Sequence, residues 1–346
     1  MADDGHDEGP RTNGHKVNGH KHPALSPTGR VSPPAAESSE DLPFDFEAAR
    51  RALTPIQSEI PEDAFTASIL GTERQGGGIV IGADSLVLTI GYVVVEAESV
   101  AVLNADGEPI EADVVAYDFE SGLGLVRAIE PLGRPVLEFG TARDLSEGST
   151  VVASCGGAET VMQKIVSKRR FCGYWEYRLE EALFTMPVHP NWGGAALLGL
   201  DGLLYGVGSL YVEDAREGEE EAIGNMFVPI DLLEPVLDEL LLDGRRSGPP
   251  RPWIGVYAAE QNGHLIIMGV APSGPAAAIK LAQGDVVLRV NEVAIGGLND
   301  FYDQLWGAGP AGVELGLTLM RDGRVFESRI RTAARDSFLK IPRWER

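Results

Sequence analysis

A mainly β chain closing on a small α/β module is the architecture this sequence predicts, and three observations predict it. Between Ala64 and Val228 short valine-rich runs recur, broken by Gly, Asp and Asn and with no long helical pattern between them, as in a sandwich or barrel. At Leu233, Val236, Leu237, Leu240 and Leu241 the period switches to that of a single helix face. Beyond a proline-bearing stretch at 244–252, strand-like and helix-like segments alternate over residues 253–333. The 346 residues leave room for two domains and an appendage at roughly 100–200 residues per domain.

Taken in order, residues 1–43 contain no Phe, Trp or Tyr and are rich in Gly, Pro, Ser, His and charge. Such a stretch buries too little surface to offset its ordering entropy and is expected to be a disordered tail. It carries His6, His15, His20 and His22, four of the six histidines, but without the rigid spacing a metal site needs. Residues 44–59 are expected to be a short helical lead-in, because apolar and charged residues fall at helical spacing from Phe44 to Leu53 and Pro55 ends the run. The β-rich domain, 60–243, contains the runs Ile79–Ile81, Leu86–Val95, Val100–Leu103, Val114–Ala116, Leu123–Val126 and Val151–Ser154. It closes with the helix after Leu233, in which Pro235 is tolerable in the first turn and Gly244 is a C-terminal stop. Pro249, Pro250 and Pro252 stiffen the linker 244–252.

The module at 253–333 reads as strands Ile254–Tyr257 and Leu265–Val270, a small-residue helix near Pro275–Leu281, and strand Val286–Val290. A helix near Asn299–Trp306 and strands Val313–Met320 and Val325–Ile330 complete it. An open sheet edge in such a module accepts a peptide as an added strand. Residues 334–346 are expected to be a C-terminal tail.

A net charge of −23, from 52 acidic against 29 basic residues, repels phosphate backbones and argues against nucleic acid and anionic membrane surfaces as partners. No apolar run approaches the roughly 18–20 residues of a membrane span, and the first thirty residues lack the apolar stretch of a secretory signal, so a cytoplasmic setting is expected. Cys155 and Cys172 are expected to be reduced thiols; they show no zinc spacing with the histidines. No metal and no cofactor is expected.

Three stretches of the β-rich domain, in order, resemble the active-site motifs of the HtrA/Deg class of trypsin-like serine proteases. The class reads Thr-Asn-x-His-Val-Val where this chain reads Thr89-Ile90-Gly91-Tyr92-Val93-Val94. It reads Asp-x-x-x-Asp-(Ile/Leu)-Ala-Leu-(Ile/Val) where this chain reads Asp118-Phe119-Glu120-Ser121-Gly122-Leu123-Gly124-Leu125-Val126. It reads Asn-x-Gly-Asn-Ser-Gly-Gly where this chain reads His189-Pro190-Asn191-Trp192-Gly193-Gly194-Ala195, a register anchored by the turn Leu200-Asp201-Gly202. Gly76-Gly77-Gly78-Ile79-Val80 and Asn225-Met226-Phe227-Val228-Pro229 add family-like text outside the triad. The resemblance implies a double β-barrel and, as in relatives, a possible homotrimer.

It also implies that Tyr92, Gly122 and Gly193 stand at the histidine, aspartate and serine positions. Acyl transfer requires a hydroxyl nucleophile, an imidazole to take its proton and a carboxylate to orient that imidazole. Glycine has no nucleophile, and a tyrosine with a pKa of about 10 is a poor base near neutrality. A non-catalytic homologue is therefore expected, acting as scaffold, adaptor or modulator; the rivals are a purely structural subunit and an endopeptidase with a relocated nucleophile, for which Ser121, Cys155 and His189 are the nearby candidates. The acidic run Glu213-Asp214 and Glu217 to Glu221 is expected to be a solvated face, or a guard against acidic peptides.

The last module resembles the PDZ domain of the same class. Trp253-Ile254-Gly255-Val256 is similar to its carboxylate-binding loop, in which successive backbone N–H groups form a nest for a peptide C-terminus. Pro272-Ser273-Gly274-Pro275-Ala276-Ala277 and Gly284-Asp285-Val286-Val287 match further motifs, although Lys280 stands where the class has glycine. Protein or peptide C-termini are the partners the resemblance implies.

Overall fold

The computed structural model describes residues 43–156, 160–219 and 221–340; the histidine-bearing tail lies outside them except for Pro43. The mainly β expectation is met by two closed six-stranded barrels and one open sheet.

The first barrel contains β1 (Leu53–Glu59), β2 (Glu73–Val80), β3 (Leu86–Ile90), β4 (Ser99–Leu103), β5 (Pro109–Tyr117) and β6 (Leu123–Ala128), in the order β1-β2-β3-β6-β5-β4. It closes where Ile56 of β1 pairs with Val102 of β4. Ile56, Leu88, Val102 and Leu125 point inward and are wholly buried, so apolar area removed from water drives closure.

The segment 44–59 corrects the sequence reading. Only α1 (Phe46–Arg51) is helical, capped by the Asp45 carboxylate accepting from the Ala48 N–H at 2.9 Å; the rest is β1 itself. Pro55 disguised it, since proline demotes a run from strand to loop. Here the Thr54 hydroxyl accepts from Leu103 N–H and donates to Leu103 C=O, both at 2.9 Å, so the barrel closes beside the missing donor.

After α2 (Ala67–Leu70), a single turn between β1 and β2, the next large unit is the second barrel. Its strands are β7 (Thr150–Ser154), β8 (Thr160–Gly173), β9 (Tyr177–Met186), β10 (Ala196–Leu198), β11 (Leu204–Val212) and β12 (Gly224–Pro229), in the order β10-β11-β12-β9-β8-β7. The helix expected from Leu233 is shorter, α3 (Leu237–Asp243), behind two 3-10 turns, and Gly244 stops it in the left-handed region.

The last module orders its strands β13-β14-β15-β17-β18, where β13 is Val256–Gln261, β14 His264–Val270, β15 Val286–Val290, β17 Glu314–Arg321 and β18 Arg324–Arg331. The short β16 (Val293–Ala294) pairs with β15. Helix α4 (Pro275–Ala278) is a single turn, and α5 (Leu298–Gly307) packs on β13 and β15 through buried Phe301, Tyr302 and Leu305. Lys280, where the class has glycine, adopts φ +60°, in the left-handed region that favours glycine.

Two connections are more ordered than expected. Arg246 and Arg251 of the linker pair with Asp118 and Glu120. The supposed tail forms a 3-10 turn at Arg335–Phe338 and returns to the first barrel: Phe338 packs on Trp253 with centroids 5.0 Å apart, both meet Phe65, and Lys340 N–H donates to the Glu96 carboxylate at 2.8 Å. Residues 334–340 are thus a strap; 341–346 lie outside the described residues.

Candidate functional site

Tyr92, Gly122 and Gly193 converge on the cleft between the barrels. Tyr92 sits in the 3-10 turn Gly91–Val93 at the end of β3, and the Gly91 N–H donates to the Gly122 carbonyl at 2.7 Å. Gly193 precedes β10, its carbonyl accepting from Gly77 N–H at 2.8 Å. A Cβ built on Gly193 would lie 2.7 Å from the Tyr92 hydroxyl oxygen, so the phenol occupies the space a residue-193 side chain would need. That hydroxyl donates to Ser209 C=O at 3.0 Å, and burial pushes its pKa up. At Gly122, where φ is +78°, a Cβ would meet the Tyr177 hydroxyl at 3.2 Å; Tyr177, reaching across from β9, donates to Ser121 C=O at 2.6 Å.

Two buried charges build this floor. Arg74 is 4% exposed and donates to the carbonyls of Gly71, Tyr92 and Val95 and to the Thr66 hydroxyl, fixing the Tyr92 turn from beneath. Burial lowers its pKa to about 10, with Glu96 pulling the other way. Asp118 takes both forks of Arg246 at 2.7 Å each and the Ser121 hydroxyl. Burial opposes its charge, yet Arg246 and Ser121 together hold its pKa below the ordinary carboxylate value.

The substitute nucleophiles are poorly placed for chemistry. The Ser121 hydroxyl is bound to Asp118. Cys155 is buried beside Gly77 and Gly194, and desolvation pushes its thiol up to about 12, leaving almost no thiolate near neutrality. His189 is wholly buried, and its Nδ1 accepts from Asn191 N–H at 3.1 Å. That engages an amide of the loop from which an oxyanion hole would be made, and Gly194 N–H is likewise taken by Gly208 C=O at 2.8 Å. In the acidic run, Asp214 pairs with Arg169 and Glu219 with Arg216 on exposed surface. A cavity of about 90 Å³ remains in the cleft, bounded by Tyr92, Gly122, Tyr117, Trp175, Leu210 and Tyr257; it is aromatic in character.

The loop Trp253–Val256 does form an anion nest, and a carboxylate is in it. Glu176, at the tip of the β8–β9 hairpin, accepts from Ile254 N–H at 3.1 Å, Gly255 N–H at 2.7 Å and Val256 N–H at 2.9 Å. Trp253 serves differently, pairing its backbone with Ala333 and its ring with Phe65 and Phe338. Sequence reasoning missed Glu176, Arg74, Tyr177 and Arg246. Tyr174-Trp175-Glu176-Tyr177 carries no motif, and the amide partners of Glu176 lie 78–80 residues away.

Burial raises the Glu176 pKa from 4.5 to about 7, with the three amides and Arg335 offsetting part of the rise. The folded chain therefore holds this proton more tightly than the unfolded chain. The resulting stability is complete below pH 4.5 and is lost as pH rises through about 7. We expect the stability difference between the wild type and Glu176→Gln, measured by urea unfolding at pH 5 and pH 8, to shift against the wild type at the higher pH; a gap that is constant with pH would refute the assignment.

Two barrels enclosing a triad-like constellation, followed by a sheet with an anion nest, define a trypsin-like peptidase domain joined to a PDZ domain. The trypsin-like peptidase domain profile matches residues 76–207 and the PDZ domain profile residues 252–332. The chain belongs to the HtrA family. It is 31% identical over 265 residues to a probable periplasmic serine endoprotease DegP-like protein of Pseudomonas fluorescens, covering 72% of this chain and 54% of that protein, so the chain spans about half its length. It is 24% identical over 323 residues to the serine endoprotease DegS of Salmonella typhimurium, covering 87% and 89%. Among solved structures, a serine endoprotease from Yersinia pestis aligns with a TM-score of 0.50 at 23% identity, covering 85% of this chain and 99% of that one. The HtrA-type protease AlgW with decapeptide aligns at 0.50 and 18%, covering 87% and 100%. These two support the fold.

Proposed function

We propose that this chain is a non-catalytic HtrA homologue that binds peptide or protein C-termini through its PDZ domain, as a scaffold, adaptor or modulator. The observation that carries the reading is the Tyr92 phenol lying in the space a side chain at Gly193 would need. The relatives are named serine endoproteases. The three positions that the family resemblance assigns to their chemistry hold here a buried phenol and two glycines, and the nearest thiol is desolvated. The anion nest at Ile254–Val256 supports the binding half of the reading, because it already coordinates a carboxylate.

Two measurements test it. Incubation with unfolded casein and with serine- and thiol-directed probes is expected to give neither cleavage nor labelling at Ser121 or Cys155. Calorimetry with peptides ending in an apolar residue is expected to detect binding that weakens by about 1.5–3 kcal/mol when the terminus is amidated, the worth of hydrogen bonds to a charged group. Casein turnover, or affinity indifferent to amidation, would overturn the corresponding half.

A further inference from the structure

We infer that the tip of the β8–β9 hairpin, residues 173–176, is an internal ligand of the PDZ groove, so that an outside C-terminus binds only by displacing it. The inference rests on the reading that this groove takes C-termini, and concerns how access to it is controlled.

The tip imitates a bound peptide at three separate points. Three consecutive amides of the loop converge on one carboxylate, that of Glu176. Two residues earlier, the Tyr174 carbonyl accepts from Ala258 N–H of β13 at 2.9 Å. Because β13 ends the sheet and pairs with β14 on its other side, this bond lies on the edge where an added strand would run. The tip itself is a turn closed by the pairing of Gly173 with Tyr177, so it offers this edge one backbone bond and not a full strand. From the opposite wall, Tyr302 of α5 donates its hydroxyl to Gly173 C=O and accepts from Glu176 N–H at 3.1 Å. Strand and helix thus grip the tip from both sides.

The tip also departs from a peptide in the way an internal mimic must. The chain continues into β9, so no terminal carboxylate is available, and the side chain of Glu176 supplies one instead. To aim it, Glu176 adopts φ +58°, a left-handed conformation that is costly for a non-glycine residue. Its contacts must offset that strain. Trp175, between the two anchoring residues, faces away and stacks on Tyr177, with rings 10° apart and centroids at 5.5 Å. Further contacts hold hairpin and module together: Arg178 meets Asp303 at 2.6 Å, and Arg335 reaches Trp175 C=O at 3.3 Å.

If the groove is open only a fraction of the time, apparent affinity for an outside ligand falls by that fraction. Removing the Glu176 carboxylate raises the open fraction without altering the nest, which is backbone. The experiment uses the full chain and a pool of decapeptides with free C-termini ending in valine, alongside the same pool amidated. Affinity is read by fluorescence anisotropy, and exchange of the Ile254–Val256 amides by hydrogen–deuterium exchange. Glu176→Ala is expected to bind the free pool about tenfold more tightly than wild type, to remain insensitive to the amidated pool, and to exchange those amides faster. Glu176→Gln, nearly isosteric, should fall between the two and serves if the alanine variant fails to fold.

Equal affinity in wild type and variants, with the free pool still preferred over the amidated one, overturns the internal-ligand inference and leaves the C-terminus reading intact. Failure of every variant to bind the free pool, although the amides have become exposed, overturns both. Unchanged amide exchange in the variants also overturns the inference, because the carboxylate then was not what covered the loop.

Discussion

Gly193→Ser is expected to destabilise the chain by about 1–3 kcal/mol, the usual cost of overpacking a filled site, and to yield no casein cleavage. The added Cβ would stand 2.7 Å from a phenol oxygen that is itself hydrogen-bonded to Ser209 C=O, so the ring must move and give up that bond. The new hydroxyl would still face neither imidazole nor orienting carboxylate. Adding Tyr92→His removes the obstructing ring and should recover much of the lost stability, so the two substitutions are expected to couple strongly in a double-mutant cycle. Gly122→Asp, the third change toward a triad, meets φ +78° and the Tyr177 hydroxyl at 3.2 Å and adds strain of its own. Thermal unfolding of the wild type, Gly193→Ser, Tyr92→His and the double variant measures the coupling. Protein-dependent casein hydrolysis by Gly193→Ser alone would defeat this account of the cleft.

Arg246→Ala is expected to cost more, about 3–5 kcal/mol, because it strands a buried carboxylate. Asp118 is 3% exposed and takes two 2.7 Å bonds from Arg246. Its lowered pKa means the contribution is present above the ordinary aspartate range and is lost as the pH falls through the folded value. Asp118→Asn combined with Arg246→Ala should therefore be milder than Arg246→Ala alone, and the penalty of Arg246→Ala should shrink in acid. Denaturation at pH 7 and at pH 3, below the ordinary aspartate value, decides; an Arg246→Ala cost at pH 7 below about 1 kcal/mol would mean the carboxylate finds water instead.

Much of this was legible in the sequence, where side-chain period reports directly on burial. The runs Leu86–Val95 and Leu123–Val126 read as strands because the strands Leu86–Ile90 and Leu123–Ala128 are almost wholly buried, although the first run overshoots its strand into the 3-10 turn Gly91–Val93. The strand at Leu53–Glu59 did not, since Pro55 masks it and its pairing with residues 73–79 and 99–102 is long-range. Tyr92, Gly122 and Gly193 were found through motif order, and the fold brings them together. The nest at Ile254–Val256 was found in the same way, whereas its occupant Glu176 carries no local signal: its distinction is purely one of placement. Residues 334–340 misled for a similar reason, because Phe338 is unremarkable in sequence and gains meaning only from Trp253 and Phe65.

That strap has a mechanical consequence. Trp253 at the entrance of the PDZ domain and Ala333 at its exit bond to each other through both backbone groups, and each leads at once to an anchorage on the first barrel. A domain hung by one strand swivels like a bead on a thread; one hung by two adjacent strands is restricted to swinging like a door about the line that joins them. The hairpin tip grips the far side of the groove through Tyr302. Release of Glu176 along that axis would have to break the Tyr302 contacts and the Arg178–Asp303 ion pair together.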